Sequence, residues 1–141
     1  MKKIIAHAIM SFAEDIESVN TKDWIESHTC SFKPLHRYKG KLTLENGKLK
    51  FEGKDNKEKK PFELEIELKK ITDVYFGLDE LFTRGNNSNL ELWLKPLRIK
   101  FETEGLEKTI YLFIDFKSFT KTSDNKKWFE ALKDLDKTMD F

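Results

Sequence analysis

The chain of 141 residues contains one cysteine, Cys30, and no apolar run of the roughly 20 residues that a membrane helix requires. A single cysteine cannot form an internal disulfide, which favours a reducing compartment. Ile4 to Met10 follow two lysines, as in a signal peptide, but this run is short and Glu14 and Asp15 come soon after it. We therefore expect a cytoplasmic protein without a transmembrane segment.

An excess of charge of either sign is also lacking, because 26 basic and 25 acidic residues leave a formal net charge of +1. Such a balance gives no overall field that would attract nucleic acid. Arginine, which forms forked contacts with phosphates and guanines, occurs only at Arg37, Arg84 and Arg98. We therefore expect no nucleic-acid partner. The preference for lysine over arginine favours an AT-rich, bacterial genome.

Sequence motifs of catalysis and metal binding are absent: there is no glycine-rich phosphate loop, no G-x-S-x-G and no H-E-x-x-H. His28 and Cys30 lie on one face of a predicted strand, but a metal site or a Cys-His pair would need further ligands at a recognisable spacing. Glu63, Glu65 and Glu67 alternate with apolar residues, which is typical of the solvated side of a strand. We expect no catalytic residue, metal or cofactor, and hence no enzyme.

What the sequence does contain is a strong hairpin signal between Tyr38 and Gly53. Asn46-Gly47 lies between two alternating segments, and this dipeptide suits a two-residue turn that needs positive φ at both positions. Counting outward from the turn predicts a register with apolar pairs on one face and charged pairs on the other. The predicted pairs are Leu44 with Leu49, Leu42 with Phe51, Glu45 with Lys48, and Lys41 with Glu52.

Further alternating segments predict a mainly β protein with about seven strands and one convincing helix. The predicted strands cover residues 28–33, 38–45, 48–53, 62–69 with a continuation over 71–76, 90–94, 97–102 and 108–116. A break in parity at Lys69-Lys70 predicts a bulge or bend. The helix begins at Ser123 or Asp124 and carries an apolar stripe that includes Trp128. In the N-terminal region, a helix from about Ser11 to Val19 and a strand from Ile4 to Phe12 both stay open.

This order of elements resembles the pleckstrin-homology (PH) superfold, most closely its GRAM-like and bacterial PH-like members, over residues 28 to 138. The matching segments are GKLTLENGKLKFEG, FELEIELKKITDVYFG, LELWLKPLRIKFETE with TIYLFI, and KKWFEALKDL. The resemblance implies a seven-stranded bent antiparallel barrel, capped by the C-terminal helix with Trp128 pointing inward. Residues 1–27 then form an N-terminal extension that packs on a domain of residues 28–141. A lipocalin-like barrel that carries a small ligand is the rival fold.

The resemblance also implies a place to look for a ligand. PH domains that bind phosphoinositides carry basic residues in and around their first two strands, and a similar spacing occurs here. The candidate residues are Lys33, His36, Arg37, Lys39 and Lys41. Several convergent donors at one barrel mouth would bind an anionic headgroup. The alternative interpretation is an ordinary solvated strand face.

A second candidate surface consists of three aromatic residues, Trp93, Tyr111 and Phe113, which fall on the face opposite the main apolar set of their strands. Left exposed, they would form a patch that binds a partner. Covered by another part of the chain, they belong to the core, which we favour. We expect a non-enzymatic binding module that recruits a protein partner or an anionic lipid headgroup. The alternative is a scaffold that forms homo-oligomers through a sheet edge.

Overall fold

A computed structural model describes residues 3–17, 37–77, 96–115 and 123–139 of the chain. Over these ranges the chain forms seven strands, two α-helices and one 3-10 turn at Leu68–Lys70. The strands are β1 (Ile4–Phe12), β2 (Tyr38–Glu45), β3 (Lys48–Asp55), β4 (Lys60–Glu67), β5 (Ile71–Phe76), β6 (Leu97–Thr103) and β7 (Leu106–Ile114). The helices are α1 (Ala13–Glu17) and α2 (Asn125–Met139).

All seven strands belong to one antiparallel sheet with the order β4-β3-β2-β1-β7-β6-β5. The sheet curls into a half-barrel, and α2 packs against β5, β6 and β7. This confirms the predicted fold class, a mainly β bent antiparallel sheet of seven strands with one C-terminal helix. The architecture is compatible with a PH-like fold. No described helix combines the length and the apolar character needed to span a membrane.

The N-terminal segment, for which the sequence left a helix and a strand open, forms the central strand of the sheet. β1 pairs with β2 from Ile4 to Met10 and with β7 from Ala8 to Phe12. Of the range predicted as a helix, Ser11 to Val19, the described residues include the helix α1 at Ala13–Glu17. From Ala8 to Met10 the strand is paired on both sides, which satisfies its backbone groups within the sheet. The predicted strands 28–33 and 90–94 and the predicted domain boundary at residue 27 lie outside the described residues.

The hairpin of β2 and β3 has the predicted register, from Glu45 opposite Lys48 to Tyr38 opposite Asp55. Asn46 and Gly47 have φ of 52° and 73°, as the two-residue turn requires.

Further along the same pair of strands, Gly40 lies opposite Gly53. A Cβ built on Gly40 would overlap the carbonyl oxygen of Glu52 and lie 2.5 Å from Gly53 Cα. The two glycines therefore let the strands approach more closely than side chains would allow.

The predicted bend after β4 takes the form of the 3-10 turn at Leu68–Lys70. The amide of Leu68 donates to the carbonyl of Gly47 at 2.9 Å, which ties the turn to the hairpin. A register shift between Ile71 and Asp73 follows in β5. The bend directs the chain away from the β3–β4 half of the sheet, so β5 pairs with β6 at the other edge.

One face of the sheet lines the core, and we call the opposite face the outer face. The core includes Leu42, Leu44, Leu49 and Phe51 of the hairpin. It also contains Trp128, which is 4% exposed and confirms an inward tryptophan on the terminal helix. The remaining buried core residues are Ala8, Met10, Tyr38, Ile66, Leu68, Val74, Leu97, Ile99, Phe101, Ile110, Leu112, Ile114 and Leu132.

Candidate functional site

The outer face of β2 and β3 carries three lysines, Lys39, Lys41 and Lys54, which we call the lysine cluster. Alternation along the strands places them opposite the core face, and Lys39 lies directly across from Lys54 in the register. All three are exposed. None of the three forms an ion pair with a residue in the described ranges. The cluster therefore consists of exposed lysines that no described residue engages in an ion pair.

Two acidic residues near the cluster approach lysines outside it. Glu52 lies opposite Lys41, and the sequence suggested that it would pair with this lysine. In the structure the Glu52 carboxylate instead approaches Lys50 Nζ at 3.9 Å. Glu45, on the outer face of β2, lies 3.9 Å from Lys3 Nζ. Neither carboxylate forms an ion pair with a lysine of the cluster.

A pocket of about 530 Å³ adjoins the lysine cluster on the outer face, where β2, β1 and β7 lie side by side. Its apolar part includes Ile9 and Phe113, which face each other across β1 and β7 and are 7% and 2% exposed. Lys39 contributes a cation on one side and Asp115 a carboxylate on the other. The pocket is lined by His7, Ala8, Ile9, Lys39, Gly40, Phe113 and Asp115.

The backbone fixes the relative positions of the residues that line this pocket. β1 pairs with β2 through Ile9 and Lys39, and with β7 through Ile9 and Phe113. Beyond the end of β7, the amide of Asp115 donates to the carbonyl of His7 at 2.7 Å. A pocket built on three paired strands needs little rearrangement to bind a ligand, which lowers the entropic cost of binding.

Arg37, the strongest phosphate-binding residue type among the candidates, has a structural role. Its guanidinium donates twice to Asp55, from Nε to Oδ1 at 3.0 Å and from Nη2 to Oδ2 at 2.8 Å. A third bond runs from Nη1 to Asp15 Oδ1 at 2.8 Å. The Asp55 side chain is only 3% exposed. Because a buried carboxylate without a partner destabilises the fold, Arg37 is needed beside Asp55 as its ion-pair partner.

The charges of this network perturb its pKa values in the expected directions. Hydrogen bonds from Arg37 hold the pKa of the Asp55 carboxyl well below its usual range, and the backbone amides of Glu58 and Lys57 add to the effect. The hydrogen bond to Asp55, and to a smaller extent the one to Asp15, raises the pKa of Arg37 above its already high value. Both groups therefore stay charged at neutral pH and hold each other.

An aromatic group lies next to the network and connects β1, β2 and β4. The ring of Tyr38 stacks on Phe62 at 4.0 Å between centroids, and Phe12 meets Tyr38 edge-on at 5.9 Å. The Arg37 guanidinium lies 5.1 Å from the centroid of the Tyr38 ring. Burial raises the pKa of Tyr38 to about 12, and the charge of Asp15 contributes to the shift. This arrangement supports the strands and, with the three bonds to Asp55 and Asp15, holds the Arg37 guanidinium in place.

A second cavity of about 510 Å³ lies near the 3-10 turn and the β6–β7 connection. Its charged lining consists of two lysines and four glutamates. These are Lys48, Lys70, Glu65, Glu67, Glu102 and Glu104. Over the described ranges no group of three or more histidine, cysteine, aspartate or glutamate side chains could hold a metal ion. The cavity therefore offers mixed charge and no defined donor set.

The structure separates the residues that the sequence grouped as a ligand site. Lys39 and Lys41 lie on the outer face, whereas Arg37 belongs to the buried ionic network. Lys33 and His36 lie outside the described residues, as do His28 and Cys30. Of the proposed aromatic patch, Tyr111 and Phe113 are 5% and 2% exposed, and Trp93 lies outside the described residues.

Among the pocket residues with a large or polar side chain, sequence reasoning missed His7, Ile9 and Asp115, and it missed one member of the lysine cluster, Lys54. The first two lie on β1, whose place beside β2 and β7 depends on contacts between residues far apart in the chain. The alternation of Ile5, His7 and Ile9 with alanines was the available signal for a strand. Lys54 could have been found from the hairpin register, which places it opposite Lys39.

Comparisons of the chain with protein-family models, with curated proteins and with solved structures gave no match. The resemblance to the PH superfold therefore depends on the strand order and on the terminal helix. The function is therefore inferred from the site, where exposed lysines without an ion pair to a described residue lie beside a pocket, on the outer face of a curled antiparallel half-barrel.

Proposed function

We propose that this chain is a non-enzymatic, cytoplasmic binding module of the PH-like, GRAM-like type, which recruits an anionic headgroup through the lysine cluster and the adjoining pocket. The observation that carries the proposal is the pair Lys39 and Lys54. They lie opposite each other on neighbouring strands, both exposed, and neither forms an ion pair with a described residue. An anion between them has two cations within reach.

The electrostatic argument starts from the spacing of the two strands. Lys39 and Lys54 form a hydrogen-bonded pair in the ladder, because the pairs of this type alternate outward from Glu45 and Lys48 at the turn. Like charges directly opposite each other destabilise a sheet. A phosphate or carboxylate bound between the two ammonium groups removes this repulsion and adds charge-assisted hydrogen bonds. The free protein therefore has an unfavourable interaction that an anion relieves.

The pocket beside Lys39 favours an anion attached to an apolar body over a free inorganic ion. Apolar side chains, among them Ile9 and Phe113, line the pocket, and Lys39 contributes a cation to it. A lipid with an anionic headgroup has this combination of charge and hydrocarbon. Free phosphate would use the lysines alone and would bind more weakly.

The proposal is tested by flotation of the full chain with vesicles of phosphatidylcholine and with vesicles that also contain phosphatidylserine. We expect recruitment by the anionic vesicles only. A basic residue near an anionic membrane contributes about 1 kcal/mol, so Lys39→Ala with Lys54→Ala should lower the partition coefficient about 30-fold. Raising the salt concentration should lower it as well.

The matched control removes two lysines elsewhere. Lys69→Ala with Lys70→Ala changes the net charge equally on the exposed 3-10 turn and should retain most of the recruitment. Equal losses in the two double variants would show that only net charge matters, and would refute the assigned site. Absence of recruitment by the anionic vesicles would refute the headgroup proposal as a whole. Inorganic phosphate as a competitor distinguishes a lipid ligand from a free anion.

A further inference from the structure

β4 forms one edge of the sheet. In the described part of the chain it pairs with β3 along its whole length, from Lys60 opposite Asp55 to Glu67 opposite Lys48, and with no other strand. Its second edge therefore offers backbone donors and acceptors in a row. Such an edge can accept an extended segment from another chain by strand addition.

The hairpin register determines which residues of β4 present their backbone groups to this free edge. A two-residue hairpin closes on a hydrogen-bonded pair, here Glu45 with Lys48, so the next residue, Leu49, directs its backbone groups to β4. Leu49 lies opposite Ile66, and the same parity holds along β4. The bond from the Leu68 amide to Gly47 agrees with this parity. The residues that face the free edge are Glu63, Glu65 and Glu67.

The side chains at this edge differ on the two faces of the sheet. On the outer face, Glu63, Glu65 and Glu67 are all exposed. On the core face, Phe62 and Leu64 are only half-buried. A strand added here would therefore cover apolar surface on one face and meet carboxylates on the other. The segment that fits has apolar and basic residues in alternation.

The paired side of β4 already shows this chemistry. β3 places Lys48 opposite Glu67 and Lys50 opposite Glu65, and Lys48 Nζ lies 3.3 Å from a carboxylate oxygen of Glu65. We propose that the free edge of β4 binds, by strand addition, an extended segment of a partner protein in which lysine or arginine alternates with apolar residues. This surface does not include Lys39 or its pocket, so the strand-addition proposal can hold whether or not the headgroup proposal does.

A second copy of this chain is a poorer occupant of the same edge. Antiparallel pairing of β4 with another β4 would place glutamates opposite glutamates, and like charges in such positions destabilise a sheet. Glutamates along an edge also protect it against self-association. Protection alone, with no partner, is the competing explanation, and it predicts that a basic strand does not bind.

The direct test uses amide hydrogen exchange measured by NMR on the full chain. The probe is a capped hexapeptide in which lysine and valine alternate, and the control peptide has glutamate in place of lysine. We expect the basic peptide to slow exchange at Glu63, Glu65 and Glu67, whose amides face the free edge. Exchange at Leu64 and Ile66 should change little, because their amides already bond to β3. The acidic peptide should change neither set.

Three variants make the test specific. Glu65→Pro removes an amide that faces the free edge and that β3 does not use, so it should block peptide binding and retain the fold. Glu63→Lys with Glu65→Lys should weaken binding about tenfold, because two opposed pairs become like-charged. Glu102→Lys with Glu104→Lys makes the same change of net charge on β6 and the turn after it, and affinity should stay within about twofold of the original.

The outcomes separate the explanations. Equal weakening by the two charge-reversed variants, or unchanged binding to the Glu65→Pro variant, would overturn strand addition at β4. Absence of protection with the basic peptide would overturn it too, and would leave the glutamates as protection against self-association. If the Glu65→Pro variant does not fold, the pair of charge-reversed variants decides alone. A second copy would be the occupant if the three amides were protected in the free protein, if this protection increased with protein concentration, and if sedimentation velocity showed a dimer under the same conditions.

Discussion

Replacing Asn125 with alanine should detach the start of α2 from β7. The Asn125 side chain is fully buried and makes two hydrogen bonds to the strand. Its Oδ1 accepts from the amide of Ile114 at 2.7 Å, and its Nδ2 donates to the carbonyl of Leu112 at 3.0 Å. Both groups lie on the β6 side of β7. The Leu112 carbonyl faces Leu97 at the start of β6, whereas the Ile114 amide lies beyond that start. For the Ile114 amide, the asparagine thus continues the ladder past the first residue of β6.

The magnitude follows from the one backbone group that the substitution would leave without a partner, the Ile114 amide, because the Leu112 carbonyl still faces Leu97 in the ladder. A buried donor without a partner costs about 1 to 3 kcal/mol, so Asn125→Ala should lower the free energy of unfolding by about 1 to 3 kcal/mol. For a chain of this size, 1 kcal/mol corresponds to about 4 °C in Tm, and the expected decrease is about 4 to 12 °C. Water entering the site of the lost side chain would reduce these values toward the lower end.

The isosteric variant Asn125→Asp separates the two hydrogen bonds. An ionised carboxylate can still accept from the Ile114 amide, but it cannot donate to the Leu112 carbonyl. Burial next to a carbonyl oxygen should raise the pKa of the introduced carboxyl, and the protonated form can again donate. The loss of stability should therefore be largest at neutral pH, where the unfolded state gains by ionisation, and should shrink as the pH falls below that pKa toward the ordinary carboxyl value of about 4.

Urea unfolding followed by far-UV circular dichroism measures these differences. Lys126→Ala, which changes the exposed neighbour of Asn125 on the same helical turn, is the control and should stay within about 0.5 kcal/mol of the original. A loss below about 0.5 kcal/mol for Asn125→Ala would refute the assigned role of the side chain. A difference between Asn125→Asp and the original chain that did not shrink with falling pH would refute the part assigned to the donated hydrogen bond.

Two further predictions concern the β2–β3 hairpin. Gly40→Ala should lower the free energy of unfolding by about 1 to 3 kcal/mol, because its Cβ would overlap the Glu52 backbone; an unchanged urea midpoint would show that the strands separate freely. Since the pKa of Asp55 is lower in the folded state, its contribution to stability is complete above the ordinary carboxyl pKa of about 4 and is lost as the pH falls below it. Asp55→Asn should therefore weaken the acid dependence of the urea midpoint, and an unaltered dependence would assign it to other carboxylates.

Local sequence signals predicted the parts of the fold that local physics determines. Asn46-Gly47 determined the turn, and the turn determined every pair of β2 and β3, because the side-chain period of a strand leaves no other register that buries Leu42 and Leu44. The break in parity at Lys69-Lys70 likewise indicated the bend. The central position of β1 was not predictable in this way. Its pairing with β7 joins residues about a hundred positions apart, and no local pattern specifies that partner.

The candidate site also combines features that the sequence predicts with features that depend on the folded structure. Spacing along the chain grouped Arg37 with Lys39 and Lys41, yet burial of the Asp55 carboxylate commits the arginine to a structural ion pair. Asp55 lies in the polar stretch KDNKEKK, residues 54–60, and nothing in that stretch distinguishes a buried aspartate from an exposed one. Exposed lysines remain available because nothing buried requires them. Burial, and not sequence spacing, therefore decides which basic residues are free to bind a ligand.

The two proposed binding surfaces are electrostatically linked, because Lys39 and the glutamates of β4 lie on the same outer face. Two strand spacings separate β2 from β4, which is about 10 Å and close to the Debye length at 0.1 M salt. The carboxylates of Glu63 and Glu65 therefore oppose the approach of an anionic surface to the lysine cluster. A basic segment bound at β4 would neutralise them and raise the affinity for the anion. By reciprocity the bound anion raises the affinity for the segment equally, and the coupling weakens as salt increases.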